Sequence, residues 1–200
     1  MSAGGMRGPD GAYTSRRMVL RGWGSADEVK TFAAEGGFEL IKDEADDAAD
    51  GIVREVIWQV TAGIVLQYAV DGRAGCSVFV LAGAPADDVQ GIAESIEQGL
   101  HPWTLKELLA AVDKAKGAEE TCAAVLRAGI GAPFGFDRRF YKRLRKAVRS
   151  DDAAVRRAGV WATSYSRWAE LRPDLEAVAS ADHDPELRRD AEVILDHYSR

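Results

Sequence analysis

Residues Asp137–Arg157 read DRRFYKRLRKAVRSDDAAVRR, and the rest of the chain is read outward from them. Phe140, Leu144, Ala147 and Val148 recur at helical spacing, so they form the apolar stripe of a helix that Asp137 is placed to cap. The other faces of that helix are cationic, with Arg138, Arg139, Lys142, Arg143, Arg145, Lys146 and Arg149. Asp151-Asp152 then interrupts the pattern, and Val155-Arg156-Arg157 opens a second helix running to about Trp168. Two helices around an acidic turn make a hairpin. One hairpin cannot bury its apolar stripe alone, so others must stack against it.

The same wording returns downstream. Asp184-Pro185-Glu186-Leu187-Arg188 repeats the Asp-x-x-apolar-Arg pattern of Asp152-x-x-Val155-Arg156 at a distance of 32 residues, and Leu144 and Leu175 precede the two turns at similar places. Pro173 opens the helix that carries Leu175 and Val178, and the last helix presents Leu187, Ala191, Ile194, Leu195 and Tyr198 on one side. Upstream, Thr104-Leu105-Lys106-Glu107 has the form of a capping box, followed by a stripe of Leu105, Leu108, Leu109 and Val112. Gly117 separates a further helix with Cys122, Val125 and Leu126 facing inward, and GIGAPFGF at Gly129–Phe136 is a glycine-punctuated loop.

Before His101-Pro102 the periodicity changes. Ile52–Leu81 alternates with period two and is rich in β-branched and aromatic residues, so IVREVIWQV, GIVLQYAV and CSVFVL read as three strands of an antiparallel meander. Arg16–Trp23 and Phe38–Ile41 read as two earlier strands. A helix between them is capped by Ser25 in a Ser25-Ala26-Asp27-Glu28 box and ended by Gly36-Gly37. Ala86–Leu100 is a helix with Val89, Ile92, Ala93 and Ile96 inward. The expected fold class is α+β: residues 1–12 as a mobile tail, 13–100 as a small α/β unit with an antiparallel sheet, and 101–200 as an all-α array of helical hairpins.

The charge of −6 is unevenly spread. Residues 1–137 carry 12 basic and 21 acidic side chains, residues 138–157 nine and two, and the final 43 residues five and nine. A basic island in an acidic chain points to a localised anionic partner, or to an acidic face elsewhere in the molecule. No run reaches the ~18 apolar residues of a membrane span, and the Gly-rich opening MSAGGMRGPDGAY lacks the apolar core of a secretion signal, so a cytoplasmic protein is expected. Met6 could serve as the start. Cys76 and Cys122 lack CxxC spacing and are expected to be reduced and buried.

The two turns around Asp152 and Asp184 resemble the HEAT repeat, in which two helices meet at an Asp-containing turn followed by a hydrophobic-Arg pair. The resemblance covers Asp137–Arg200, with Thr104–Ala128 matching only in outline and residues before His101 not at all. Ala153 stands where the family has the turn proline, and Gly159 where it usually has Ala. The resemblance implies that each Asp caps its second helix and that the following Arg reaches the Asp of a neighbouring repeat. It also implies a scaffold or adaptor that binds another protein, and such a fusion could neutralise a toxin as an immunity protein.

The expected contact surface is the basic helix and the one after it, namely Arg138, Arg139, Lys142, Arg143, Arg145, Lys146, Arg149 and Arg157 with Trp161, Tyr165 and Trp168, since Arg and aromatic residues dominate interface hot spots. Core packing of Trp161 and Trp168 competes with that reading. Nucleic acid is the alternative partner, because the cationic stripe could follow phosphates. HEAT-like folds include DNA glycosylases of the alkylated-base type, but no residue here matches their catalytic Asp. The acidic Asp43–Asp50 loop lacks the ligand alternation of a calcium loop, and Gly83 in LAGAP lacks the spacing of a phosphate loop. His101, His183 and His197 have no metal-ligand spacing, and no nucleophile motif occurs. The expectation is a non-enzymatic protein without cofactor or metal.

Overall fold

The period-two stretch forms the centre of an antiparallel sheet in the computed structural model, which describes residues 5–8, 11–22, 26–45 and 51–198. Two units are present, Met1–Trp103 and Thr104–Arg200. In the first, the strands are β1 (Met6–Arg7), β2 (Tyr13–Thr14), β3 (Met18–Val19), β4 (Glu39–Ala45), β5 (Ile52–Thr61), β6 (Ile64–Asp71) and β7 (Cys76–Gly83). The order across the sheet is β1-β2-β7-β6-β5-β4, with β3 also paired to β7. Helices α1 (Ala26–Glu35) and α2 (Ala86–Leu100) complete the unit.

Register explains the core. Val56 pairs with Tyr68 and Tyr68 with Phe79, while Trp58 pairs with Leu66 and Leu66 with Leu81, so each row of inward side chains continues across three strands. These rows pack with Val29 and Ala33 of α1 and Val89, Ala93 and Ile96 of α2 in one buried cluster. Arg16 is buried beside this core; its guanidinium donates to the Glu97 carboxylate of α2.

Three expectations are corrected here. Met6–Arg7, inside the expected tail, pair with Tyr13–Thr14. The first expected strand shortens to Met18–Val19. The acidic stretch from Asp43 does not begin as a loop, since Asp43, Glu44 and Ala45 extend β4 along β5. Asp43 accepts hydrogen bonds from Lys30 and Arg54, which hold its carboxyl below its ordinary value. That pairing lets an acidic segment lie at a sheet edge. Ser25, Trp23 and residues 46–50, on which parts of the expected cap, strand and loop fall, lie outside the described residues.

The second unit holds α3 (Leu105–Lys114), α4 (Gly117–Ile130), α5 (Arg138–Val148), α6 (Ala153–Ser166), a short 3₁₀ turn (Ala169–Leu171), α7 (Arg172–Ala181) and α8 (Pro185–Tyr198). Successive helices pair as α3/α4, α5/α6 and α7/α8. Helix α6 packs against α4, α5 and α8, while α5 touches α3 and α7, so the hairpins stack in two layers. The expected capping box at Thr104 and Glu107 is formed in both directions. Cys76 is buried, but Cys122 is only half-buried, which corrects the expectation of two buried thiols; partial burial still pushes its thiol pKa up.

Close approach of helices accounts for the glycine at 159. A Cβ there would meet the backbone N of Val148 at 2.4 Å and the backbone C of Ala147 at 2.6 Å. Helix α6 therefore sits almost backbone to backbone on α5. Gly129 serves the α4–α6 contact in the same way, since its Cβ would fall 2.6 Å from the Ala162 carbonyl oxygen.

The two acidic turns share their hydrogen bonding bond for bond. Asp152 Oδ1 accepts from the N–H groups of Ala154 and Val155, and Asp184 Oδ1 from those of Glu186 and Leu187. The backbone N–H of each Asp donates to a side chain two residues earlier, Ser150 Oγ in one turn and Asp182 Oδ1 in the other. Arg156 Nη1 donates to the Ser150 carbonyl and Arg188 Nη1 to the Asp182 carbonyl, at 2.8 and 2.6 Å. Two segments of different composition thus close the same turn, because cap, tether and arginine stand at the same offsets. Arg156 also bridges the turns, donating from Nε to Asp182 Oδ2 at 2.5 Å.

Candidate functional site

The cationic residues collect on α5, whose buried stripe is Phe140, Leu144, Ala147 and Val148. Burying that stripe turns the Arg and Lys side chains outward. Asp137 caps the helix, accepting from the Arg139 N–H at 2.8 Å. Arg138, Tyr141, Lys142, Arg145, Lys146 and Arg149, spaced at three and four residues, line a shallow open depression of about 380 Å³ along one side of the helix.

Most of the cationic charge is already engaged. Arg139 pairs with Asp137 and Arg143 with Asp113, holding both carboxyls below their ordinary range. Arg145 donates to Asp174 Oδ2 at 3.0 Å, and Arg149 Nε to Asp174 Oδ1 at 2.5 Å. Asp174 sits in the first turn of α7, where the helix dipole favours an anion, with its side chain only 2% exposed. One buried carboxylate therefore orients two guanidiniums that keep 42% and 58% of their side-chain surface in solvent. Among the described residues, Arg138, Lys142 and Lys146 form no ion pair with a carboxylate, and all three are exposed.

The remaining expected contact residues do not join this surface. Arg157 pairs with Asp184 at 2.8 Å and Glu186 at 3.2 Å, tying α6 to the start of α8 and raising its own pKa. Trp161 is half-buried, donates from Nε1 to Asp190 Oδ2 at 3.1 Å and packs on the α7–α8 core. Tyr165 is half-buried on α6. Trp168 requires a correction, because α6 ends at Ser166 and Arg167 turns left-handed at φ 49°. That reversal takes Trp168 off the helix and buries it at 4% exposure, with its indole N–H donating to the Phe134 carbonyl at 3.0 Å. Helix α6 is the inner helix of the stack, which accounts for the partial burial of Trp161 and Tyr165.

Three residues at this face, Tyr141, Phe136 and the buried Asp174, have no place in the expected list. Tyr141 stands three residues from Arg138 on the cationic side, so helical spacing alone would have found it. Phe136 is 47% exposed, and its ring lies 5.4 Å from Tyr141 and 5.6 Å from Trp168. Asp174 lies 25 residues beyond Arg149, and no local signal links the two.

Among the described residues no group of His, Cys, Asp and Glu could hold a metal ion, and no helix is long and apolar enough to cross a membrane. His101 closes α2 in a left-handed conformation and its carbonyl accepts from Arg21 Nε, while His183 and His197 are exposed. Comparison with protein-family models, with curated proteins and with solved structures finds no match for this chain.

Proposed function

We propose that this protein is a non-enzymatic binding module or adaptor, in which HEAT-like hairpins present the α5 face to an acidic surface of a partner protein. The carrying observation is the depression lined by Arg138, Tyr141, Lys142, Arg145, Lys146 and Arg149, which gathers five cations and one aromatic ring on one helix face. The step from stacked hairpins to a scaffold is an analogy of fold. The α5 face adds a reason specific to this chain: Asp174 fixes two of the arginines in advance, so a partner need not order them. The same pairing favours a protein over nucleic acid. With Arg139, Arg143, Arg145 and Arg149 already sharing carboxylates, the charge left for a phosphate backbone is small in a chain of net charge −6.

The test compares the wild-type chain with a variant carrying Arg138→Glu, Lys142→Glu and Lys146→Glu. These residues hold no other part of the fold by an ion pair, so circular dichroism should be unchanged. Poly-glutamate is expected to bind the wild type with an affinity that falls as salt rises, and to be lost in the variant. Duplex DNA bound more tightly than poly-glutamate would replace this reading with the nucleic-acid one. Poly-glutamate bound equally by both proteins would refute the α5 surface.

A further inference from the structure

The loop 131–137, which joins α4 to α5, holds the half-exposed ring of Phe136 at one end of the basic depression, next to Tyr141. Gly131, Ala132 and Pro133 are buried, and the Phe134 carbonyl is pinned by the Trp168 indole. Phe136 follows, its ring set edge-on against the buried Trp168 at an interplanar angle of 72° and tilted against Tyr141. The next residue, Asp137, is fixed by its cap to α5 and its pairing with Arg139. The ring is thus held from two sides and by the chain that follows it, while almost half of its surface faces water.

Tyr141 connects this ring to the charges. It contacts Phe136, lines the depression, and has the Arg145 guanidinium 5.9 Å over its ring. An apolar shelf and a cationic groove are therefore continuous through one shared side chain. From Tyr141 to Arg149 the helix rises ~12 Å, a length that an extended segment of about four residues covers.

We infer that Phe136 and Tyr141 form an anchor site for one large apolar side chain of an acidic peptide segment, whose carboxylates lie along Lys142, Lys146 and Arg149. This rests on the α5 reading above and names the partner's chemistry: an apolar residue at one end of a short acidic run. A pre-ordered aromatic anchor loses little conformational freedom on binding, and such anchors carry much of the affinity where binding desolvates them. A free phosphate chain would leave the Phe136 shelf unused.

The experiment uses fluorescent peptides of about twelve residues, long enough to span the groove extended. One contains only Glu, Gly and Ser; two others carry a single Phe at either end of the same acidic run; single-stranded oligo-dT is the fourth probe. Each is titrated against the full wild-type chain, Phe136→Ser, and Lys142→Glu with Lys146→Glu. At least one Phe peptide is expected to bind the wild type about tenfold tighter than the acidic peptide. Phe136→Ser should abolish that difference while leaving the acidic peptide's affinity unchanged, and the charge variant should weaken all peptides.

Equal affinity of the three peptides, or a difference that survives in Phe136→Ser, would overturn the anchor and leave the α5 surface standing. No binding of any peptide would overturn both. Oligo-dT held more tightly than every peptide and lost in Phe136→Ser would overturn the peptide assignment in favour of base stacking. Circular dichroism and the thermal unfolding midpoint check that Phe136→Ser stays folded.

Discussion

Replacing Gly159 with Ala tests the contact that fixes α5 in place. An exposed helix interior would gain from this change, because Ala is favoured over Gly by ~1 kcal/mol. Here the added Cβ would lie 2.4 Å from the Val148 nitrogen and 2.6 Å from the Ala147 carbonyl carbon, both backbone atoms of α5. Ordinary contact needs roughly another 1 Å, and neither backbone can rotate away as a side chain would. Helices α5 and α6 must move apart, opening the cluster around Val148 and Val160. Overpacking of this kind costs about 1–3 kcal/mol, and a clash with backbone belongs at the upper end. Net of the propensity gain, the loss is about 1–2 kcal/mol. In a unit of about 100 residues this lowers the Tm by ~5–15 °C. Calorimetry on the full chain measures it, with Gly135→Ala as the control, since nothing lies within 4 Å of a Cβ at that position. A Tm for Gly159→Ala at or above wild type would refute the close packing of α5 on α6.

The matching caps of the two turns predict that each Asp contributes to stability. Asp152→Ala should cost about 1 kcal/mol in urea unfolding, and Asp184→Ala that much plus up to ~1 kcal/mol for the lost pairing with Arg157; a loss confined to one of them would show that the turns differ in kind. Acid stability gives a second check. Arg143, Arg139, Arg156 and Arg157 hold the carboxyls of Asp113, Asp137, Asp182 and Asp184 below the ordinary value of 3.8. A carboxyl depressed in the folded state stabilises the fold above its unfolded pKa, and that contribution is lost as pH falls through the folded value. The Tm should therefore vary little with pH for these groups above about pH 5 and fall below about pH 4. Arg156→Ala should make the fall shallower, and an unchanged acid limb would remove Asp182 from the account.

The sequence by itself determined what is local. The Phe140–Leu144–Ala147–Val148 stripe, the Asp137 and Asp152 caps and the Thr104–Glu107 box each follow from residues within one or two turns of one another, so spacing alone specifies them. The same holds for the β5–β6–β7 meander, whose alternation and short turns fix its strands. The matching turns at Asp152 and Asp184 were visible for the same reason.

Tertiary structure decided what depends on residues far apart in the chain. The basic stripe reads as seven free cations, yet Asp113 and Asp174, about 25 to 30 residues away, engage three of them. Trp168 fits the helical spacing of Trp161 and Tyr165, but Arg167 turns left-handed and sends it into the core, a backbone change that no residue pattern announces. The short strands β1–β3 are held by β2 and β7 rather than by their own propensity. Phe136 became part of a candidate surface only because Trp168, buried from another segment, holds its ring in place. Caps and stripes are set by bonds that close within a few residues. Which charges stay free and which rings stay in solvent is set by neighbours that only folding brings together.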